Sequence, residues 1–420
     1  MNWLFIHQNF PGQYVHAARH LAAAGDQVVF ITQQRERELK GVRKIVYAPT
    51  RPPTGIHPFV HDFNSAVENG LSVARICQEL KRSGFTPDLI AGHNGWGELL
   101  YVKDCWPSVP LLGYFEFYYR PENSDLDFDP EFPPSAADGM RIRTRNAINL
   151  LGLETADWGQ TPTAFQQNLY PERYRRAISV IHEGIDTAAV HPDPSTRLWL
   201  AGGLSLSRND LLITYSARNL EPYRGFHIVM RTLPDILERY PTARVLIVGG
   251  NEVSYGRRPA QAKSWREQML GEVGNKLDMS RVHFLGRLNY PQYLAMLQIS
   301  SVHIYLTYPF VLSWSLLEAM ATGCAIVASR TPPVEEVIRD GENGYLVDFF
   351  DRRALADRVS DMLTNRERLE GIRAAARQTV VERFDLASKC LPAYLALLRR
   401  LIRRQRQHSV SLAHRTAPAV

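Results

Sequence analysis

Short apolar runs rich in β-branched and aromatic residues alternate along this chain with longer stretches of helical periodicity. That alternation constrains the fold more than any other feature. In the first half the runs are NWLFIH (2–7), DQVVFIT (26–32), PDLIAG (87–92), VPLLGYF (109–115) and AISVIH (177–182). In the second half they are DLLITYSA (210–217), RVLIVGG (244–250), RVHFLG (281–286), SVHIYLT (301–307) and CAIVAS (324–329). Runs of this kind suit strands buried on both faces, and the helical segments between them, such as AARHLAAAG with Gly25 as its stop, give parallel sheets covered by helices. Residues 185–210 are rich in Pro, Gly, Ser and Asp and lack strong periodicity, which marks the best boundary in the chain. The expected organisation is two doubly wound α/β domains in tandem: a first over 1–190, a linker over 191–209, a second over 210–384, and a C-terminal basic helix and tail over 385–420. Ligands in such sheets bind off the carboxyl ends of the strands, and a cleft between two domains is a natural ligand site.

A chain of 420 residues is long enough for about two domains with ordinary cores. Its four cysteines (Cys77, Cys105, Cys324, Cys390) are scattered, which fits a reducing compartment and excludes a disulfide scaffold. The start, MNWLFIHQNF, lacks the pattern of a signal peptide, and no stretch approaches the roughly 18 apolar residues of a membrane span. A cytoplasmic location is expected. The net charge is +6, so an anionic partner is favoured. Part of the excess lies in LPAYLALLRRLIRRQRQ (391–407), where an apolar half is followed by five arginines. Its plainer reading is a terminal helix docked by its leucines; the sharper one is contact with an anionic membrane surface, peripheral on the inner face. Nucleic acid is disfavoured, since no basic stripe is interleaved with aromatics.

Several strand ends carry candidate chemistry. FIHQNFPGQY (5–14) leaves the first strand through Gly12 and Gln13 towards a helix, where backbone amides favour an anion; an ordinary turn needing glycine is the plain alternative. It is not G-x-G-x-x-G, which argues against an ordinary dinucleotide-binding dehydrogenase. AGHNGWGEL (91–99) places His93 at a strand end, with Asn94 able to cap a following helix. In LLGYFEFYYRPENSDLDFDPEFPP (111–134) a buried strand ends at Glu116 among aromatics that could raise its pKa, unless Arg120, Arg141 or Arg143 pairs with it. The aspartates beyond it do not fit a calcium loop, because Pro130 and Ala136 fall where that loop needs glycine and glutamate. ARNLEPYRGFHIV (217–229) puts Arg218 and Arg224 on one segment after a strand, with Gly225 opening a helix, a convincing anion site. Gly249 and Gly250 end the next strand. Ser315-Leu316-Leu317-Glu318 fits a capping box, which accounts for the glutamate without any ligand.

As a set these segments resemble the retaining glycosyltransferases of family 4, which have the GT-B fold of two Rossmann-like domains. LLEAMATGCAIVAS, SARNLEPYRGF, RVHFLGRL, DGENGYLVD and VIHEGID are similar to that family's signatures. The resemblance implies transfer of a sugar from a nucleoside-diphosphate-sugar, a substrate rather than a cofactor, to a saccharide or lipid-linked acceptor. It implies that Arg218 and Arg224 hold the diphosphate, that main chain near Leu288 faces the base and that Glu318 takes the ribose hydroxyls. Amides of Ser313, Trp314 and Ser315 would lie near phosphate and sugar. Gly12, Gln13, His93 and Glu116 would serve the acceptor side. It implies no metal, since the arginines and helix dipole neutralise the leaving group. Two positions depart from the family: Phe310 stands where a glutamate contacts the sugar, and Glu116 where a histidine is usual. Phe310 keeps alive a non-catalytic nucleotide-binding scaffold, and the fold also hosts epimerases.

Overall fold

The computed structural model describes residues 1–48 and 54–416, so residues 417–420 of the expected tail lie outside it. The chain divides into two compact units, Met1–Glu183 with Ala387–Val420, and Gly184–Leu386.

The first unit holds seven strands: β1 (Asn2–Ile6), β2 (Gln27–Thr32), β3 (Val42–Val46), β4 (Leu89–His93), β5 (Leu111–Tyr114), β6 (Trp158–Thr161) and β7 (Ile178–Val180). All pair in parallel in the order β3-β2-β1-β4-β5-β6-β7. Side chains alternate across a strand, so β1 feeds two cores. Trp3 and Phe5 pack on one face with the helix Val15–Ala23; Leu4 and Ile6 pack on the other with Val73, Cys77 and Leu80 of the helix His61–Arg82. The helix Leu391–Thr416 belongs to this unit, its Tyr394, Leu395, Leu398, Leu401 and Ile402 buried on the Trp3 and Phe5 face. Its Arg399, Arg400, Arg403, Arg404 and Arg406 are exposed, and Arg400 and Arg404 lie over the Trp158 ring.

The second unit opens with an antiparallel hairpin, β8 (Arg197–Trp199) and β9 (Ser205–Ser207). Its sheet comprises β10 (Leu212–Asn219), β11 (Arg244–Gly250), β12 (Val282–Gly286), β13 (Val302–Tyr305), β14 (Ile326–Ser329) and β15 (Tyr345–Val347). The order is β12-β11-β10-β13-β14-β15, again all parallel.

The ten expected strands all form. Those not foreseen have local reasons. In β3, Arg43 and Lys44 interrupt the apolar run on a sheet edge, where charge is tolerated. β6 reads WGQT, a turn-like composition inside a sheet. The segment 191–209 is corrected: the density of Gly and Pro there marks a hairpin whose tip, Gly202-Gly203, has φ of 81° at both residues. Leu198 and Leu206 are buried in the second core, so this is part of the second unit, and the division falls between Glu183 and Gly184 rather than after 190. The 385–420 segment likewise divides, Asp385 pairing with Ile185 in the second unit while the helix joins the first.

Candidate active site

In each sheet the strand order reverses beside the first strand, between β1 and β4 and between β10 and β13. The carboxyl ends flanking such a switch point are where ligands bind in open α/β sheets.

In the second unit, Arg218 is exposed near the end of β10. The chain then makes a single 3-10 turn, Pro222–Arg224, and the helix Phe226–Arg239 starts from Gly225 at φ 69°. A Cβ on Gly225 would lie 2.3 Å from Leu306 Cβ, so only glycine lets this turn approach the end of β13. The N-terminus of that helix therefore stands at the switch point, the kind of place where helix amides suit an anion.

Arg224 does not pair with Arg218 as an open cationic fork. It is buried; its Nη1 donates to Thr307 Oγ1 at 2.8 Å and to the Val311 carbonyl at 3.0 Å. Its guanidinium carbon lies 5.4 Å from the Tyr255 ring centre and 5.8 Å from that of Phe310. Phe310 thus has a physical role: its π face, with that of Tyr255, attracts the cation where a carboxylate was expected. Burial works against charge on Arg224, but neighbouring Tyr305, Tyr255 and Tyr215 outweigh it and hold its pKa above the ordinary value. Tyr255 is fixed by Glu221, a fully buried carboxylate that accepts amide hydrogen bonds from Ser254, Tyr255 and Gly256 at 3.1, 3.1 and 3.0 Å. Glu221 was not singled out from the sequence, although a charged residue between two buried apolar segments was a readable signal.

Gly249 and Gly250 end β11 against close neighbours. A Cβ on Gly249 would meet Leu220 at 2.7 Å, and one on Gly250 would meet Asn219 Oδ1 at 2.4 Å and Arg287 Nε at 2.8 Å. Their smallness lets β11 pack beside the end of β10.

The capping-box reading of Glu318 is overturned. The helix runs Trp314–Ala321 with Ser313, not Ser315, as its N-cap; Ser313 Oγ accepts the Ser315 amide at 3.2 Å. Ser313 is itself held by its amide donating to the Tyr305 hydroxyl at 3.1 Å. Glu318 consequently sits in the second turn, too far along to reach the N-cap amide. Its carboxylate accepts instead from Tyr290 Oη at 2.8 Å, and the enclosed hydroxyl of Tyr293 faces it as well. Burial raises the Glu318 pKa above the ordinary carboxyl value, opposed by both tyrosine hydroxyls. Leu288, partly buried against the second core, lies two residues before Tyr290.

In the first unit, His7 follows β1 and His93 ends β4, their ring centres 4.9 Å apart. Each is buried. His7 Nδ1 accepts the Asn9 amide and His93 Nδ1 the Gly95 amide, both at 2.9 Å, so each neutral ring carries its proton on Nε2. His7 Nε2 then donates to Gln13 Oε1 at 2.6 Å. Burial, reinforced by His93, pushes the His7 pKa well below its ordinary value. A Cβ on Gly12 would lie 2.9 Å from the His7 ring, and Gly12 has φ 53°, so this glycine lets the turn close over His7. His93 Nε2 points towards Glu116 Oε2 at 3.5 Å, and Trp96 stacks on the His93 ring at 4.1 Å. Of the arginines considered as partners of Glu116, Arg120 donates to the carbonyls of Asn168 and Leu169 and Arg141 to Asp138. No helix follows Asn94 for it to cap; its Nδ2 donates to the Ile148 carbonyl at 3.3 Å. Behind the histidines Glu98 is fully buried, accepts from Tyr47 Oη at 2.9 Å, and has its pKa raised by burial. His7, Trp96 and Glu98 were missed, although His7 obeys the same strand-end rule that picked out His93.

Of the residues named from the sequence, Arg218, Arg224, Gly249, Gly250, Leu288, Ser313, Trp314, Ser315 and Glu318 lie in the second unit, and Gly12, Gln13, His93 and Glu116 in the first.

Two parallel α/β units are the architecture of the GT-B fold, and both halves of this chain match glycosyltransferase families. Residues 24–190 match the family described as "Glycosyl transferase family 4 group", and 205–379 match "Glycosyl transferases group 1". A phosphatidyl-myo-inositol mannosyltransferase of Mycobacterium leprae is 29% identical over 192 residues, 43% of this chain and 46% of the relative. A D-inositol 3-phosphate glycosyltransferase of Acidothermus cellulolyticus is 26% identical over 390 residues, 88% of this chain and 81% of the relative. The match thus spans about half the length of the first of these and most of the second. Among solved structures, HepE of Anabaena in complex with UDP superposes with a TM-score of 0.68 at 15% identity, covering 94% of this chain and 99% of HepE. Sucrose-phosphate synthase of Thermosynechococcus elongatus gives 0.68 at 17% identity, covering 98% and 100%.

Proposed function

We propose that this chain transfers a sugar, with retention at the anomeric carbon, from a nucleoside-diphosphate-sugar to a hydroxyl of a saccharide or lipid-linked acceptor. Assembly of a bacterial surface polysaccharide or glycolipid is the setting that fits the relatives named above. The observation that carries the reading is Glu318: a buried carboxylate that accepts from the Tyr290 hydroxyl, in the same unit as Arg218, Arg224 and the N-terminus of the helix Phe226–Arg239. A carboxylate suits a ribose diol, and arginine with helix amides suits a diphosphate. HepE was solved with UDP and with UDP-glucose, which supports this class of donor.

On this reading the second unit binds the donor and the first supplies the acceptor side through Gly12, Gln13, His93 and Glu116. As the bond between anomeric carbon and diphosphate oxygen breaks, negative charge grows on the leaving group. Arg218 and the amides at the start of Phe226–Arg239 would stabilise it directly, and Arg224 would add its fixed charge. An acceptor oxygen that attacks from the face the diphosphate leaves lies beside the departing phosphate oxygen, which can take its proton. The chemistry then asks for neither a metal nor a cofactor.

The test begins with thermal stability against a panel of nucleoside diphosphates and nucleotide-sugars. A ligand at 100 times its Kd that binds only the folded protein adds about 2.7 kcal/mol. With the donor so identified, Arg224→Ala is expected to lower transfer by about 10²-fold or more. Turnover near that of the wild type would remove Arg224 from the mechanism. Nucleotide binding with neither transfer nor donor hydrolysis would favour a non-catalytic protein.

A further inference from the structure

We infer that the Tyr290 hydroxyl is a built-in stand-in for the donor ribose, and that a nucleotide must displace it from Glu318 to bind. The inference rests on the reading of Glu318 as the ribose-binding group. The Glu318 carboxylate is buried, and a buried carboxylate left without hydrogen-bond donors is costly. Tyr290 donates its O–H to it and the Tyr293 hydroxyl faces it, and the two tyrosines differ in freedom. Tyr293 has its hydroxyl enclosed and its ring against the second core. Tyr290 is 51% exposed, at the first position of the helix Tyr290–Gln298, just after the turn that carries Leu288. It donates to Glu318 Oε1 at 2.8 Å from an otherwise open position. A ribose offers two neighbouring O–H donors, and a carboxylate has lone pairs enough for both. Tyr290 is the exposed member of the pair, so ribose and Tyr290 compete for the carboxylate, while Tyr293 stays in place.

The device has two consequences. It keeps Glu318 satisfied when no donor is bound, and it makes binding depend on a diol, because a ligand without one has nothing to offer in exchange. The wild-type affinity for a ribonucleotide is then weaker than the contacts alone would give.

The experiment is calorimetric titration of the full-length protein and Tyr290→Phe with UDP, GDP and ADP, and with the 2′,3′-dideoxy form of whichever binds. Melting curves of both proteins check that the exposed position tolerates the change. Loss of a competing hydrogen bond to a charged acceptor predicts binding of the ribonucleotide about tenfold tighter or more in Tyr290→Phe, with the dideoxy analogue unchanged. Equal or weaker ribonucleotide binding in Tyr290→Phe overturns the inference. Tyr290→Ala weakening both nucleotides alike, with Tyr290→Phe silent, would also overturn it and make the ring a stacking surface for the base. Should no nucleotide bind the wild type, the donor-site reading fails and this inference falls with it. If nucleotide binds and Glu318→Gln weakens it while Tyr290→Phe does not tighten it, the donor site stands and the displacement alone is wrong.

Discussion

Glu318→Gln separates function from stability by giving them opposite signs. Glutamine keeps the shape of the side chain and an oxygen to accept from Tyr290, so packing in the helix Trp314–Ala321 should survive. The charge does not survive. A hydrogen bond to a charged partner contributes about 1.5–3 kcal/mol, so losing the charged contact to a ribose hydroxyl should weaken nucleotide binding about 10- to 150-fold. Stability moves the other way. The unfolded chain releases this proton near the ordinary value of 4.5, whereas burial makes the folded protein hold it to higher pH. Between those two values the folded state binds more protons, so wild-type stability falls as pH rises through the window. Glutamine has no such dependence. The melting temperature of Glu318→Gln should therefore gain on that of the wild type as pH is raised from about 4 to 7, in the absence of nucleotide. Scanning calorimetry across that range and nucleotide titration at pH 7 make the assay. A variant that binds nucleotide as the wild type does, or that loses stability by the same amount at both pH values, would refute the argument.

Two further outcomes follow from other parts of the molecule. His303, buried in the second sheet with its Nδ1 against Thr214 Oγ1 at 2.8 Å, has its pKa lowered by burial from 6.5 to about 4. The unfolded state then binds the extra proton first, so about 3 kcal/mol of stability is lost as pH falls from about 6.5 to 4; His303→Asn should flatten that part of a denaturation-against-pH profile, and an unchanged slope would contradict the assignment. For the C-terminal helix, deletion is the wrong perturbation, because its leucines are part of the first core. Replacing Arg399, Arg400, Arg403 and Arg404 by Gln should leave folding intact and reduce sedimentation with phosphatidylserine vesicles at low salt, each charge near the surface contributing about 1 kcal/mol; unchanged sedimentation would leave these arginines as a solvated face.

The sequence by itself determined the two parallel sheets, because strands buried on both faces must be apolar throughout and helical segments between them permit only crossover connections. It marked turns and strand ends where backbone passes close to a neighbour, since Gly225, Gly249 and Gly250 stand there. It placed Arg218, Arg224 and His93 near strand ends. Tertiary structure alone decided what those groups touch. Local spacing made Glu318 a cap of its own helix, but the helix starts two residues earlier and its carboxylate meets Tyr290, 28 residues away in sequence. Arg224 was read as an open anion contact, yet Thr307, 83 residues on, draws it inward, and Phe310 explains itself only once its ring is seen beside that cation. The C-terminal helix was legible as an apolar half followed by arginines, while the sheet it covers was not. The physical reason is common to all three. Periodicity and turn chemistry are properties of neighbouring residues, whereas the partner of a buried charge is chosen by whichever distant group the packed sheets bring within hydrogen-bond distance.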